Sequence, residues 1–168
     1  MRVAVTGTPG TGKTSATAEL ETDLEVIHLN EIIESEGLYT EIDADRESLV
    51  ADIEAIEEWL GDREDVIVES HLAHYLDADA VVVLRCHPET LRDRLESRGE
   101  PIAKAEENAE SEALDGILIE ALDRHGEEAV FEIDTTDRTP AETAREIERV
   151  IAGERVPTAG NVDFTDYL

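Results

Sequence analysis

Residues 7–14, GTPGTGKT, place glycines, a lysine and a threonine at the spacing G-x-x-x-x-G-K-[ST]. Because glycine has no Cβ, successive backbone N–H groups in such a loop can turn inward around phosphate oxygens. Lys13 would then bridge the β- and γ-phosphates of a nucleoside triphosphate, and the Thr14 hydroxyl would bind Mg²⁺. Ser15 would lie within reach of the α-phosphate. An accidental glycine-rich turn is the alternative, and the position of the pattern between a predicted strand and a predicted helix disfavours it.

A second candidate group lies in VIVESH, residues 66–71, where a hydrophobic strand ends on an acidic residue. Glu69 can hold a metal-bound water or the Thr14 hydroxyl, as a Mg²⁺ site opposite a phosphate loop requires. Its alternative is one more surface acid among 43 acidic residues. His71 follows two residues later, and a neutral imidazole beside a γ-phosphate can orient water or an attacking phosphate oxygen. A structural or exposed histidine is the alternative there.

Arginines supply further cationic candidates. Arg94 and Arg98 are four residues apart on one predicted helix and share a face. Such side chains can offset the charge that develops during phosphoryl transfer, whereas Arg92 on the same helix is assigned to the surface. Arg138 follows the last predicted strand and could stack on an adenine ring, although a surface arginine is nearly as good an interpretation.

Composition limits the function classes. The chain has 168 residues, a single-domain length, and 43 acidic against 14 basic residues give a net charge of −29, which disfavours membrane surfaces and general nucleic-acid binding. The acidic residues are interleaved with apolar ones, which argues against disorder and favours a haloadapted surface. A single cysteine, Cys86, excludes an intrachain disulfide. Neither a signal peptide nor a run of ~18 apolar residues is recognisable, so a cytoplasmic location is expected.

Five predicted strands alternate with helices along the chain, which indicates an α/β fold with a parallel sheet and right-handed crossovers. The strands are predicted at residues 2–6, 25–29, 65–69, 78–85 and 129–133. Helices are predicted at residues 13–20, 46–62, 88–99, around 114–122 and at 139–152. Residues 30–45 mix a helical turn with a loop. Ligands of such folds bind beyond the carboxyl ends of the strands, where the glycine loop and residues 69–71 fall.

Together these stretches resemble the adenylate kinase isoenzyme 6 family, small P-loop kinases that also act as ribosome-assembly ATPases. The resemblance spans about residues 1–151 and is carried by GTPGTGKT at 7–14, VIVESH at 66–71, VVVLR at 81–85 and RLESRG at 94–99. It implies a P-loop NTPase fold, with one kinase domain over residues 1–152 and a C-terminal tail over 153–168. Within the domain it implies a monophosphate-binding segment at about 28–51 and a short lid at about 97–107.

The resemblance also implies roles for individual residues. The residues implied to bind the phosphates of ATP are Gly10, Gly12, Lys13, Thr14 and Ser15. Arg98 would contact ATP from the lid, Arg138 matches a basic position near the adenine, and Arg46 is the candidate for gripping AMP. The catalytic candidates are thus Lys13, His71 and Arg98, and the metal candidates Thr14 and Glu69. The family typically reads Asp-x-His where this chain reads Glu69-Ser70-His71.

The leading hypothesis is a nucleoside monophosphate kinase that converts ATP and AMP into two ADP with Mg²⁺. A second hypothesis is an ATPase that serves small-ribosomal-subunit assembly and rRNA processing by releasing a platform ribosomal protein, and both activities could reside in one protein. A GTPase switch is the weakest hypothesis, because the chain contains no N-K-x-D sequence for guanine.

Overall fold

A five-stranded parallel sheet forms the centre of the computed structural model, which describes residues 1–45 and 48–168. Its strands are β1 (Arg2–Thr6), β2 (Glu25–His28), β5 (Val66–Glu69), β6 (Ala80–Arg85) and β7 (Val130–Asp134), in the order β2-β5-β1-β6-β7. A separate antiparallel hairpin consists of β3 (Tyr39–Asp43) and β4 (Ser48–Ala51). The predicted α/β class and parallel sheet are therefore confirmed.

Helices cover both faces of the sheet. They are α1 (Lys13–Ala18), α2 (Leu29–Glu36), α3 (Ile53–Leu60), α4 (Pro88–Ser97), α5 (Ile102–Ala113), α6 (Gly116–His125) and α7 (Pro140–Ile151). One core contains side chains of α2, α3 and α6, and the other contains side chains of α1 and α7. Val81 and Val83 enter the first core while Val82 and Leu84 enter the second, so β6 is buried on both faces, as its run of valines predicts.

The helix predicted over residues 46–62 is wrong in its first part. Residues 48–51 form β4, which pairs with β3, and α3 begins only at Ile53. The carboxylate of Asp52 accepts a hydrogen bond from the Ala55 N–H, and this N-cap fixes the start of the helix. Leu49 therefore packs against the core from a strand rather than from a helix. Arg46 lies outside the described residues.

Residues 102–113 form α5, although no helix is predicted over this range from the sequence. The helix packs on α4 through Ala105 and Ala109, which meet Leu91 and Leu95 in a third, smaller apolar cluster. The chain then turns at Asp115, whose φ is 58°, and continues as α6. The packing places α5 beside the end of β6, close to the glycine loop.

The C-terminal residues 153–168 pack along the outer edge of β7. The Thr158 carbonyl accepts a hydrogen bond of 2.8 Å from the Glu132 N–H, as an added parallel strand would. The N–H groups of Asn161 and Val162 both donate to the Glu132 carboxylate. Phe164 is buried against the ring of His87, and Tyr167 packs on the apolar cluster of α4 and α5. Within the described residues, no helix has the length and apolar character needed to cross a membrane.

Candidate active site

The loop over residues 7–14 joins β1 to α1 and contains three glycines with positive φ. A Cβ at Gly7 would lie 2.6 Å from the carbonyl oxygen of Leu84, so no other residue fits that position without a shift. Gly10 and Gly12 both have φ of 93°, which L side chains rarely adopt. The loop geometry therefore depends on these glycines, as its sequence predicts.

The ammonium group of Lys13 lies against the loop that carries it. Its Nζ donates to the carbonyl oxygens of Gly7 at 2.8 Å and Thr8 at 3.2 Å. Burial lowers the pKa of Lys13 to about 8, with a contribution from the positive charge of Arg98, while Glu69 opposes the change. A desolvated ammonium with two neutral acceptors is suited to bind an anion, because phosphate oxygens would stabilise its charge further.

Thr14 and Glu69, predicted from the sequence as a pair, are in contact. The Thr14 hydroxyl donates to Oε1 of the buried Glu69 carboxylate at 3.3 Å. The other carboxylate oxygen lies 2.9 Å from Nδ1 of His28. A hydroxyl beside a carboxylate offers the hard oxygen donors that Mg²⁺ prefers, so this pair fits the ion that phosphoryl transfer uses. His28 was missed, although the parallel register of β2 and β5 pairs it directly with Glu69.

His71 lies just beyond β5, partly buried. Burial lowers the pKa of His71 to about 4, and the nearby charge of Lys13 lowers it further in the same direction. The ring is therefore neutral at physiological pH, as the proposed role beside a phosphate requires. His71 also lines a cavity, which favours a role at the site over that of a merely exposed side chain.

Two cavities open at this edge of the sheet. The first has a volume of about 630 Å³ and is bounded by Gly12 and Ser15 of the loop, Arg94 and Arg98 of α4, and Arg138. The structure thus brings the predicted arginines to one cavity with the loop. The guanidinium of Arg94 also donates to the Gly10 carbonyl at 3.2 Å, a contact for which the sequence carries no signal.

The second cavity measures about 530 Å³ and lies between His71 and the β3–β4 hairpin. Leu49 and Val50 of β4, Asn30 of α2, and Tyr75 line it. Burial, together with a hydrogen bond to Glu120, raises the pKa of Tyr75 to about 12, so its hydroxyl stays protonated as a donor. The side chains mix apolar surface with polar groups, as sites for small molecules commonly do.

Comparison with known proteins places the chain in a family. Residues 3–115 match a family described as AAA domain. A protein of Natronomonas pharaonis named "Putative adenylate kinase" is 61% identical over 168 residues, which cover both chains completely. Proteins of the same name from Halobacterium salinarum and Methanosarcina barkeri are 60% and 48% identical, again over the full length of both chains. The chain belongs to this archaeal family. These relatives support assignment to the phosphotransferases.

Solved structures of kinases share the fold at low sequence identity. A shikimate kinase from Acinetobacter baumannii aligns over 92% of this chain and 94% of its own, with a TM-score of 0.61 and 16% identity. A deoxyadenosine kinase from M. mycoides aligns over 92% of this chain and all of its own, with a TM-score of 0.59 and 16% identity. At this identity the likeness concerns the architecture alone, and it agrees with the P-loop kinase fold expected from the sequence.

Proposed function

We propose that this protein is a nucleoside monophosphate kinase that transfers the γ-phosphate of ATP to AMP and forms two ADP. The observation that carries the proposal is the pair of cavities. One cavity contacts the glycine loop. The other is lined by His71, which lies close enough to Lys13 for the charge of the ammonium to lower the pKa of the imidazole. A hydrolase needs one nucleotide site and a water, whereas a transferase needs a second site for its acceptor.

The chemistry asks the protein for positioning and charge stabilisation. An oxygen of the AMP phosphate attacks the γ-phosphorus, and the bond from that phosphorus to the β–γ bridging oxygen breaks. Lys13 and Arg98 supply positive charge where negative charge develops. The neutral His71 can donate one hydrogen bond to a phosphate oxygen. Thr14 and Glu69 would hold Mg²⁺, which when bound neutralises charge on the phosphate oxygens.

The remaining assignments rest on the positions of side chains around the two cavities. Gly10, Gly12 and Ser15 border the first cavity and are proposed to bind phosphates, with Arg138 near the adenine. Residues 28–51 are proposed to bind the monophosphate, because α2 and β4 line the second cavity. Residues 97–107, which comprise the connection from α4 to α5 and the first half of α5, are proposed as the lid that limits hydrolysis by excluding water.

The test follows ADP and inorganic phosphate separately in Mg-ATP with and without AMP. It is run in concentrated potassium chloride, because the net charge of −29 needs screening. AMP-dependent ADP without phosphate release supports the kinase. A Lys13→Met variant measures contaminating activity, and CMP, GMP and UMP in place of AMP measure the preference for the monophosphate. Release of inorganic phosphate at the same rate with and without AMP overturns the proposal.

A second candidate is an ATPase that assists assembly of the small ribosomal subunit, as in the isoenzyme 6 family. Two surface features favour a basic partner with apolar anchors: the strongly acidic composition and the exposed Ile42 of β3, 66% accessible, on the hairpin. This candidate predicts that a basic small-subunit ribosomal protein accelerates phosphate release in the absence of AMP. No acceleration by such a partner contradicts it.

A further inference from the structure

A cluster of buried charges lies beneath the glycine loop. Arg85, at the end of β6, donates to the carboxylates of Glu112 at 2.8 Å, Glu132 at 2.6 Å and Asp115 at 2.5 Å. Burying such groups is costly unless each is paired, and here each is paired. Of the described residues that line the two cavities, none belongs to this cluster. The proposed chemistry therefore leaves the cluster unused.

One oxygen of this cluster points at the loop. Oε1 of Glu112 accepts hydrogen bonds from Arg85 and from the Cys86 N–H, which fixes the orientation of the carboxylate. Oε2 accepts a hydrogen bond of 2.6 Å from the hydroxyl of Thr8, the second residue of the loop. Thr8 and Glu112 are both buried, and a short hydrogen bond to an ionised carboxylate is of the strong kind.

The backbone of Thr8 in turn contacts two other residues of the loop, Thr11 and Lys13. Its carbonyl oxygen accepts from Nζ of Lys13 at 3.2 Å, from Oγ1 of Thr11 at 2.8 Å and from the Thr11 N–H at 3.2 Å. Thr8 thus closes the turn of the loop with Thr11 and shares with the Gly7 carbonyl, at 2.8 Å, the contact that holds the Lys13 ammonium. The side chain of Thr8 is fixed by Glu112, 104 positions away in the sequence.

We propose that Glu112 is a positioning residue that holds the phosphate loop in its binding shape through Thr8. The proposal rests on the proposed function only in that the loop binds the phosphates of ATP. Without the hydrogen bond between Thr8 and Glu112, the loop populates other conformations. The apparent affinity for ATP then falls in proportion to the fraction of molecules whose loop has the binding conformation. The negative charge of Glu112 also favours the protonated form of Lys13. Because Glu112 lies in the last turn of α5, the proposed lid region and the loop are joined by one helix.

The test compares Thr8→Val, which removes the hydroxyl and keeps the branched shape, with Thr8→Ser, which keeps the hydroxyl. The Kd of Mg-ATP is measured by calorimetry, and amide hydrogen exchange of residues 8–14 is measured in the nucleotide-free protein. We expect Thr8→Val to weaken ATP binding roughly tenfold and to accelerate exchange in the loop. Thr8→Ser is expected to stay within about twofold of the parent protein. In turnover, KM for ATP rises more than kcat falls.

A matched control separates positioning from general stability. Ile56→Val removes one buried methylene from α3, on the other side of the sheet from α1, and is expected to lower stability without altering ATP affinity. Unchanged ATP affinity and loop exchange in Thr8→Val overturn the proposal, as does an affinity loss that Thr8→Ser shares. If Thr8→Val fails to fold, Thr8→Ala takes its place, because it also removes the hydroxyl, and parent-like ATP affinity in that variant overturns the proposal. If AMP fails to act as an acceptor in the parent protein, the proposed kinase activity is refuted. The Kd of Mg-ATP and the amide hydrogen exchange of the loop still test the role of Glu112.

Discussion

Replacing Arg85 by leucine should remove most of the stability of this protein. The guanidinium is 1% exposed, and its partners Glu112 and Glu132 have side chains 3% and 1% exposed, so leucine would orphan two desolvated carboxylates. Breaking a buried pair in this way costs about 3–5 kcal/mol, and two such losses approach the ~5–15 kcal/mol that holds a typical domain together. The third partner, Asp115, is 35% exposed and keeps enough water to add little.

The assay is urea unfolding in constant potassium chloride, followed by circular dichroism and by the fluorescence of Trp59, the single tryptophan. Arg85→Leu should be unfolded or unfold at the lowest urea concentrations, whereas Arg85→Leu with Glu132→Gln, which removes one orphaned charge, should recover part of the loss. Arg124→Leu is the control, because its pair with Asp77 is exposed and should contribute no more than about 1 kcal/mol. An Arg85→Leu protein within about 1 kcal/mol of the parent would refute this account of the buried cluster.

Three further predictions concern the site and its surroundings. His71→Ala should lower kcat by roughly 10²-fold and leave the Kd of ATP nearly unchanged, as measured by steady-state kinetics and calorimetry. An unchanged kcat with a weakened Kd of ATP would contradict this role of His71. Glu69→Ala should raise the Mg²⁺ concentration at half-maximal ATP binding about tenfold, measured by titration at fixed ATP, and an unaltered Mg²⁺ dependence would exclude this carboxylate from the metal site. Burial lowers the pKa of His74, although Glu120 opposes the change. The unfolded state therefore binds more protons than the folded state, and the free energy of unfolding should fall as the pH drops below about 6.5. Denaturant titrations between pH 8 and pH 5 should show a smaller dependence of the free energy of unfolding on pH in His74→Asn than in the parent protein.

The sheet and the glycine loop could be predicted because their signals are local. Each strand is a short apolar run, and the loop pattern carries its own chemistry in eight consecutive residues. The contact of Thr14 with Glu69 followed from topology, since parallel strands deliver their carboxyl ends to one edge. His28 could have been found by the same reasoning, because it ends the neighbouring strand.

The hairpin and α5 were harder for different physical reasons. Leu49 has the spacing of a helix with Ile53 and Ile56, but pairing with residues 39–43 and the cap at Asp52 override that periodicity. The packing face of α5 consists of alanines among acidic residues, so its apolar stripe is weak although its four-residue spacing is regular. The anchor of Thr8 on Glu112 has no local signature, because only the folded chain brings the two together.

The docked C-terminal segment also bears on self-association. A bare edge strand offers a row of backbone groups to any other chain, and β7 is the last strand of the sheet on this side. Residues 153–168 occupy that edge through Thr158 and fasten it with the Glu132 carboxylate. Truncation of this segment would therefore expose the backbone groups of β7 as a template for intermolecular strand pairing.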